Sequence, residues 1–269
     1  MSEHGLTADQ IDTSTPHPAR MYDYYLGGRD NYEVDRVAAQ RIIKVMPSII
    51  DGARKNRSFL RRAVRTVVGE YGIRQIIDIG TGIPTSPNTH EVAQELAPDT
   101  TVVYVDNDPI VGVHATARLT GVGHTAFLLG DVRQPASIIA RAHAEGLIDF
   151  GRPVALQLVA LMHFVGDADE PHRILAELRD ALPSGSFLIL SHATADGAPP
   201  QSVEPIEELL DVYRGTTASL HMRTRDQVLG FFDGFRLLDP GLVSVSQWRL
   251  DPGEEPTWTG LYGALGYKP

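Results

Sequence analysis

Three short clusters in this chain have the residue types and spacing to hold a ligand. Gly80-Thr81-Gly82 follows the apolar run Ile76-Ile77-Asp78-Ile79, Asp106-Asn107-Asp108 follows a run over 100–105, and Gly130-Asp131 follows a run over 126–129. Glycine lets the backbone approach a bound molecule because no Cβ stands in the way. Asp106 lies 24 residues beyond Gly82, where an acidic side chain in nucleotide-binding folds accepts both ribose hydroxyls. Asp131 can accept from an exocyclic amino group such as that of adenine. The plainer alternative is capping, since Asp108 and Asp131 both precede helical patterns and Asp is a favoured N-cap.

The same residues narrow the nucleotide. A dinucleotide fingerprint needs a third glycine where Thr85 stands, and Pro84 and Pro87 crowd the start of the next helix. The G-x-x-x-x-G-K-[ST] loop of nucleoside triphosphatases is missing. Nothing is arranged for a pyrophosphate. An adenosine without phosphates fits better, and that points to S-adenosylmethionine. Two readings stay beside it: a NAD-dependent oxidoreductase on the same kind of sheet, and a non-catalytic S-adenosylmethionine-binding regulatory protein.

The elements that must carry these clusters form an alternating series. Two further apolar runs span 154–160 and 187–190. Helical patterns lie near 89–97, 109–119, 135–145 and 169–182. Continuous apolar strands alternating with helices imply an α/β fold, a parallel sheet covered on both faces. Before it, residues 18–71 read as helical and Arg-rich, interrupted at Gly27-Gly28 and Pro47. Val37, Ile42, Val45 and Met46 can share one helical face, and Phe59, Ala63, Val64, Val67 and Val68 make a second stripe. After His192 the alternation stops. Residues 204–214 and 224–232 read as helices, and 235–238 and 261–267 as strands joined by a long connection. The organisation expected is a flexible polar tail over 1–17, an N-terminal helical cap over 18–70 and a sheet domain over 71–269.

Composition sets the outer bounds. The chain has 269 residues, 42% hydrophobic and 22% charged, enough to bury a core. With no cysteine, disulfides, Cys-ligated zinc, iron–sulfur clusters and thiol nucleophiles are excluded. A net charge of −10 repels phosphate backbones, so nucleic acid is not expected as a partner. No apolar run reaches the ~18 residues of a membrane span, and the N-terminus lacks a signal peptide's apolar core. The expectation is a cytoplasmic protein.

Asp78-Ile79-Gly80-Thr81-Gly82 resembles the first motif of class I S-adenosylmethionine methyltransferases, with Asp106 and Gly130-Asp131 at the second and third motif positions. Residues 19–32 (ARMYDYYLGGRDNY) are more specific. With 56–64 (NRSFLRRAV) and 78–88 they resemble an actinobacterial family of S-adenosylmethionine-dependent methyltransferases, formerly a domain of unknown function. The resemblance covers nearly all of the chain after residue 17. It implies a Rossmann-like three-layer sandwich, with a mostly parallel seven-stranded sheet whose last strand is antiparallel. It also implies methyl transfer to an O or N atom of a small-molecule acceptor, with S-adenosylmethionine as cofactor. A homodimer is the one protein partnership expected.

The cofactor-binding residues expected are Tyr22, Gly28, Asn31, Arg57, Gly80, Thr81, Gly82, Asp106, Asn107, Asp131 and Val132. The tyrosines around Gly27-Gly28 either form a lid whose ring faces meet the sulfonium or are core-edge residues of a helix. One of Arg57, Arg61 and Arg62 can pair with the methionine carboxylate, or all three lie on a solvated face. The fourth strand lacks the Asn/Asp-Pro-Pro-Tyr/Phe motif that resembles methyltransferases of DNA bases and protein glutamine. It carries His163, which is either a general base or a shaper of the pocket floor. His192 ends the fifth strand. No metal-binding spacing is present, and no metal is expected.

Overall fold

The computed structural model describes residues 13–119 and 123–269. Residues 1–12, which hold most of the expected tail, lie outside that range. Five strands, β1 (Gln75–Ile79), β2 (Thr101–Asp106), β3 (Thr125–Leu129), β4 (Ala155–Val159) and β5 (Phe187–Ala193), form the parallel part of the sheet, with β3 at its edge. The long strand β8 (Leu261–Tyr267) runs antiparallel to β5 along its length. Two-residue strands β6 (Arg236–Leu237) and β7 (Val243–Ser244) pair with β8, giving the order β3-β2-β1-β4-β5-β8-β6 with β7 attached to β8. The seven-strand path with its antiparallel strand is the one expected; β7 is an addition.

Side chains alternate along each strand, so neighbouring residues feed opposite faces of the sheet. Ile77, Ile79, Val103, Val105, Leu156 and Leu158 pack on one face, under α6 (Pro135–Ala144) and α7 (Pro171–Ala181). Ile76, Val102, Tyr104 and Ala155 pack on the other, under α3 (Ile49–Arg65) and α4 (Thr89–Leu96). The α3 stripe is the one expected: Phe59, Ala63, Val64, Val67 and Val68 are all buried there, the last two in a π-helical turn over Thr66–Glu70.

The N-terminal segment folds as α1 (Pro18–Tyr25), α2 (Glu33–Val45) and α3. Here one expectation fails. Val37 is 61% exposed and Val45 36% exposed, and the buried side of α2 is Ala39 and Ile42, continued by Met46. Asp35 decides the face. It accepts from the backbone N–H groups of His17 and Tyr32 and pairs with Arg20, which turns Val37 outward. With α8 (Val203–Arg214), these helices close a third apolar cluster over the carboxyl ends of the strands. Residues 13–17 already belong to this assembly: Thr15 and Pro16 carbonyls accept from Arg20 and Thr217, and His17 caps α1. Among the described residues no helix is long and apolar enough to cross a membrane.

Candidate active site

Strand order reverses between β1 and β4, and in open parallel sheets ligands bind beside that reversal, at the carboxyl ends. The loops after β1, β2, β3 and β4 there open on one cavity of about 430 Å³, which α1, α3 and α8 cover. Gly80 and Gly82 both adopt positive φ, +73° and +64°, a conformation glycine takes without steric cost. A Cβ at Gly80 would stand 2.6 Å from Leu161 Cδ1. The turn is tied to β2: Gly80 and Thr81 N–H donate to the Val105 carbonyl, and Gly82 N–H donates to Asp106 Oδ2 at 2.8 Å.

Asp106 therefore has two tasks. Its second oxygen accepts Asp108 N–H at 2.9 Å, so the carboxylate braces the glycine turn as well as facing the cavity. Burial pushes its pKa up to about 6, against the pull of those backbone N–H groups. Asp108 caps α5 (Pro109–Leu119), accepting Ile110 N–H at 2.8 Å, as the plainer reading of the sequence had it. Its other oxygen is buried on the cavity wall and accepts no hydrogen bond.

Asp131 is not the N-cap of α6, a position Gln134 holds; the Asp131 side chain accepts the Arg133 backbone N–H at 2.9 Å in the turn before it. Its carboxylate accepts from Arg133 at 2.7 Å and from Asn107 at 3.3 Å. Burial opposes its ionisation, but the Arg133 contacts outweigh burial and hold it below the usual carboxylate range. Val132 is buried beside it on the wall.

On the opposite side, Tyr22 donates to the Ala53 carbonyl and accepts from Asn56. Arg57 donates to the carbonyls of Thr85 and Pro87, fastening the loop beyond the glycines. Both line the cavity. Gly28 and Asn31 are not among its lining residues; they stand one step behind, around Asp23, which lines it. Asn31 donates to Asp23 Oδ2 at 2.7 Å, and a Cβ at Gly28 would lie 2.0 Å from Asp23 Oδ1. Asp23 was missed in the sequence because no spacing rule marks a carboxylate held by a glycine turn. Arg62 is buried elsewhere, clamping the carbonyls of Val245 and Trp248, and Arg61 turns to Ser58.

His163 sits on the wall in a short turn after β4, buried. Its Nδ1 accepts the Ala193 N–H at 3.1 Å. Burial, with His192 and Arg223 nearby, holds its pKa well below the ordinary imidazole value. The neutral ring then carries its hydrogen on Nε2, so that nitrogen offers a donor and no lone pair. In that arrangement Nε2 is the nitrogen left to donate. His192 is buried behind it: Nδ1 faces the Ala193 carbonyl at 2.8 Å and Nε2 accepts from Arg223 at 3.0 Å.

A family model described as S-adenosyl methyltransferase matches residues 4–269. The chain belongs to this family. A DUF574 family protein from Streptomyces avermitilis is 40% identical over 96% of this chain and 100% of its own, with a TM-score of 0.90. A candidate methyltransferase from Thermobifida fusca is 36% identical over 97% of each chain, with a TM-score of 0.88. A more distant S-adenosylmethionine-dependent methyltransferase from Anabaena variabilis, 16% identical with a TM-score of 0.53 over 99% of this chain and 100% of its own, shares the fold. No curated protein matches.

This S-adenosylmethionine-dependent methyltransferase has a wall suited to its cofactor. Asp78, Asp106 and Asp108 line the strand edge, a set of acceptors facing a ligand rich in hydroxyl, amino and ammonium donors and bearing a sulfonium charge. Asn56 Oδ1 is buried on the wall without a donor, and Asp108 Oδ2 has only the longer contacts to His17 Nδ1 at 3.4 Å and Arg20 at 3.9 Å. Buried acceptors of this kind are costly unless a ligand or water completes them. The missing third glycine and this wall agree in setting the dinucleotide alternative aside. Among the described residues, no group of three or more His, Asp and Glu is placed to hold a metal ion.

Proposed function

We propose that this methyltransferase moves the methyl group to an O or N atom of a small molecule bound in the same cavity as the cofactor. The observation that carries this reading is the cavity's extent. It continues from the glycine turn to a second wall built by α1, α3, α8 and the segment around Trp258, and closed concave sites of this kind suit small ligands. S-adenosylmethionine supplies an electrophilic methyl group on a sulfonium. In this reading Gly80, Thr81 and Gly82 cradle the methionine and ribose side, and Asp106 accepts from the ribose hydroxyls. Asn107, Asp131 and Val132 border the adenine, while Tyr22 and Arg57 close the methionine side. Gly28 and Asn31 act through Asp23. His163 donates Nε2–H to an acceptor oxygen and orients it. A good nucleophile needs alignment more than proton abstraction, which suits a fixed donor in place of a base.

The test is the fate of labelled methyl groups. The protein is incubated with methyl-labelled S-adenosylmethionine and a fractionated actinobacterial extract. Label in the low-mass fraction supports the reading; label confined to protein or nucleic acid contradicts it.

A further inference from the structure

The two ends of the cavity differ in charge. At the strand edge stand the carboxylates of Asp78, Asp106 and Asp108. Away from that edge the lining side chains from the third apolar cluster include Tyr25, Met46, Phe164, Leu209, Tyr213 and Trp258, and all of that cluster are uncharged. Phe164 and Tyr213 lie with ring centroids 5.6 Å apart, and His163 meets Phe164 edge-on at 4.5 Å. The cations and carboxylates elsewhere on the wall are already engaged. Arg20 pairs with Asp35, Arg57 with two carbonyls, Asp23 with Asn31 and Asp131 with Arg133. Asp108, whose Oδ2 is in ion-pair range of His17 and Arg20, follows β2 and so belongs to the cofactor end.

From this we infer the class of acceptor: an uncharged, flat aromatic molecule with a hydroxyl nucleophile, packed against Phe164 and Tyr213, whose oxygen accepts a hydrogen bond from His163 on one lone pair and attacks with the other. The inference rests on the small-molecule reading above and narrows it. Aromatic side chains lining this end favour a planar ring. A carboxylate or ammonium carried against this cluster would leave water and meet none of its side chains with a charge, which is costly. Burial pushes the Tyr213 hydroxyl up to about 12, so the wall stays neutral with the acceptor bound. Atoms balance simply: the hydroxyl oxygen forms one bond to the methyl carbon, the sulfonium–carbon bond breaks, and the hydroxyl proton passes to water.

The probes are 2-naphthol and its anionic counterpart 2-naphthoate, titrated into the full chain saturated with S-adenosylhomocysteine. The expected result is saturable 2-naphthol binding at least about tenfold tighter than 2-naphthoate. Phe164→Ala should weaken it by about tenfold while the affinity for S-adenosylhomocysteine stays within about twofold. Equal or tighter binding of 2-naphthoate, or no saturable binding of 2-naphthol, overturns the inference. Labelled product from the extract gives a second readout. An ultraviolet-absorbing product that is not retained on ion exchangers supports the inference. A non-absorbing or charged low-mass product overturns it and leaves the small-molecule reading standing; label only in macromolecules defeats both.

Discussion

At the residue scale, Asp106 carries the sharpest expectation. Its carboxylate holds Gly82 and Asp108 through backbone N–H groups before any cofactor arrives. Asp106→Ala should therefore lower stability by about 1–3 kcal/mol in urea unfolding without ligand, and cofactor affinity by roughly 2–4 kcal/mol in calorimetry. An unchanged denaturation midpoint would mean the brace carries no weight. The pH dependence follows from the raised pKa near 6. The folded carboxyl takes its proton more readily than the unfolded one, so ionising it between about pH 4 and pH 6 costs stability. Cofactor binding goes the other way, because ribose hydroxyls prefer the ionised acceptor. Affinity for S-adenosylhomocysteine should fall as pH drops through about 6, and a flat profile from pH 8 to pH 5 would contradict this role. His163 gives a second test. His163→Gln keeps an N–H donor, so turnover should fall by less than about tenfold, against the roughly 100-fold or more that loss of a general base brings. The pH–rate profile should show no imidazole limb.

At the element scale, the decisive piece is the helical segment from α1 to α3. The strand-end clusters were legible in the sequence because an apolar run followed by Gly or Asp encodes both a buried strand and its exit turn. The helix contacts were not. Whether Arg62 is a surface ion pair or a clamp on Val245 and Trp248 depends on a chain segment more than 180 residues away. The His163 tautomer depends on one amide, that of Ala193, 30 residues on. The face of α2 turned on Asp35, a buried carboxylate that hydrophobic periodicity ignores. These contacts change the expectation for truncation. Removing residues 1–17 takes away the His17 cap and the Thr15 and Pro16 carbonyls that Arg20 and Thr217 use. It should lower stability by about 1–2 kcal/mol, read as a lower thermal midpoint. Removing residues 1–31 removes α1 from the wall and should abolish cofactor binding. In the full chain, hydrogen exchange over 18–31 should slow when S-adenosylhomocysteine binds. A core starting near Asp35 that keeps full affinity would show that α1 is no part of the site.

At the scale of the whole molecule, the fold brings loops from four parallel strands to one edge and lays three helices across them. The sheet path was legible from alternating apolar runs, and its antiparallel strand from the family resemblance. Strand β6 lies inside the run read as a strand over 235–238, whereas β7 was not separable from loop, since a two-residue pairing leaves no periodicity to read; its partner β8 supplies the order. The central claim is that this covered edge is a single S-adenosylmethionine site. Calorimetric titration of S-adenosylhomocysteine into the full chain tests it most directly. The account predicts one site per chain, with a thermal midpoint that rises with ligand concentration because only the native state binds. No heat of binding and no shift in that midpoint at millimolar ligand would contradict it.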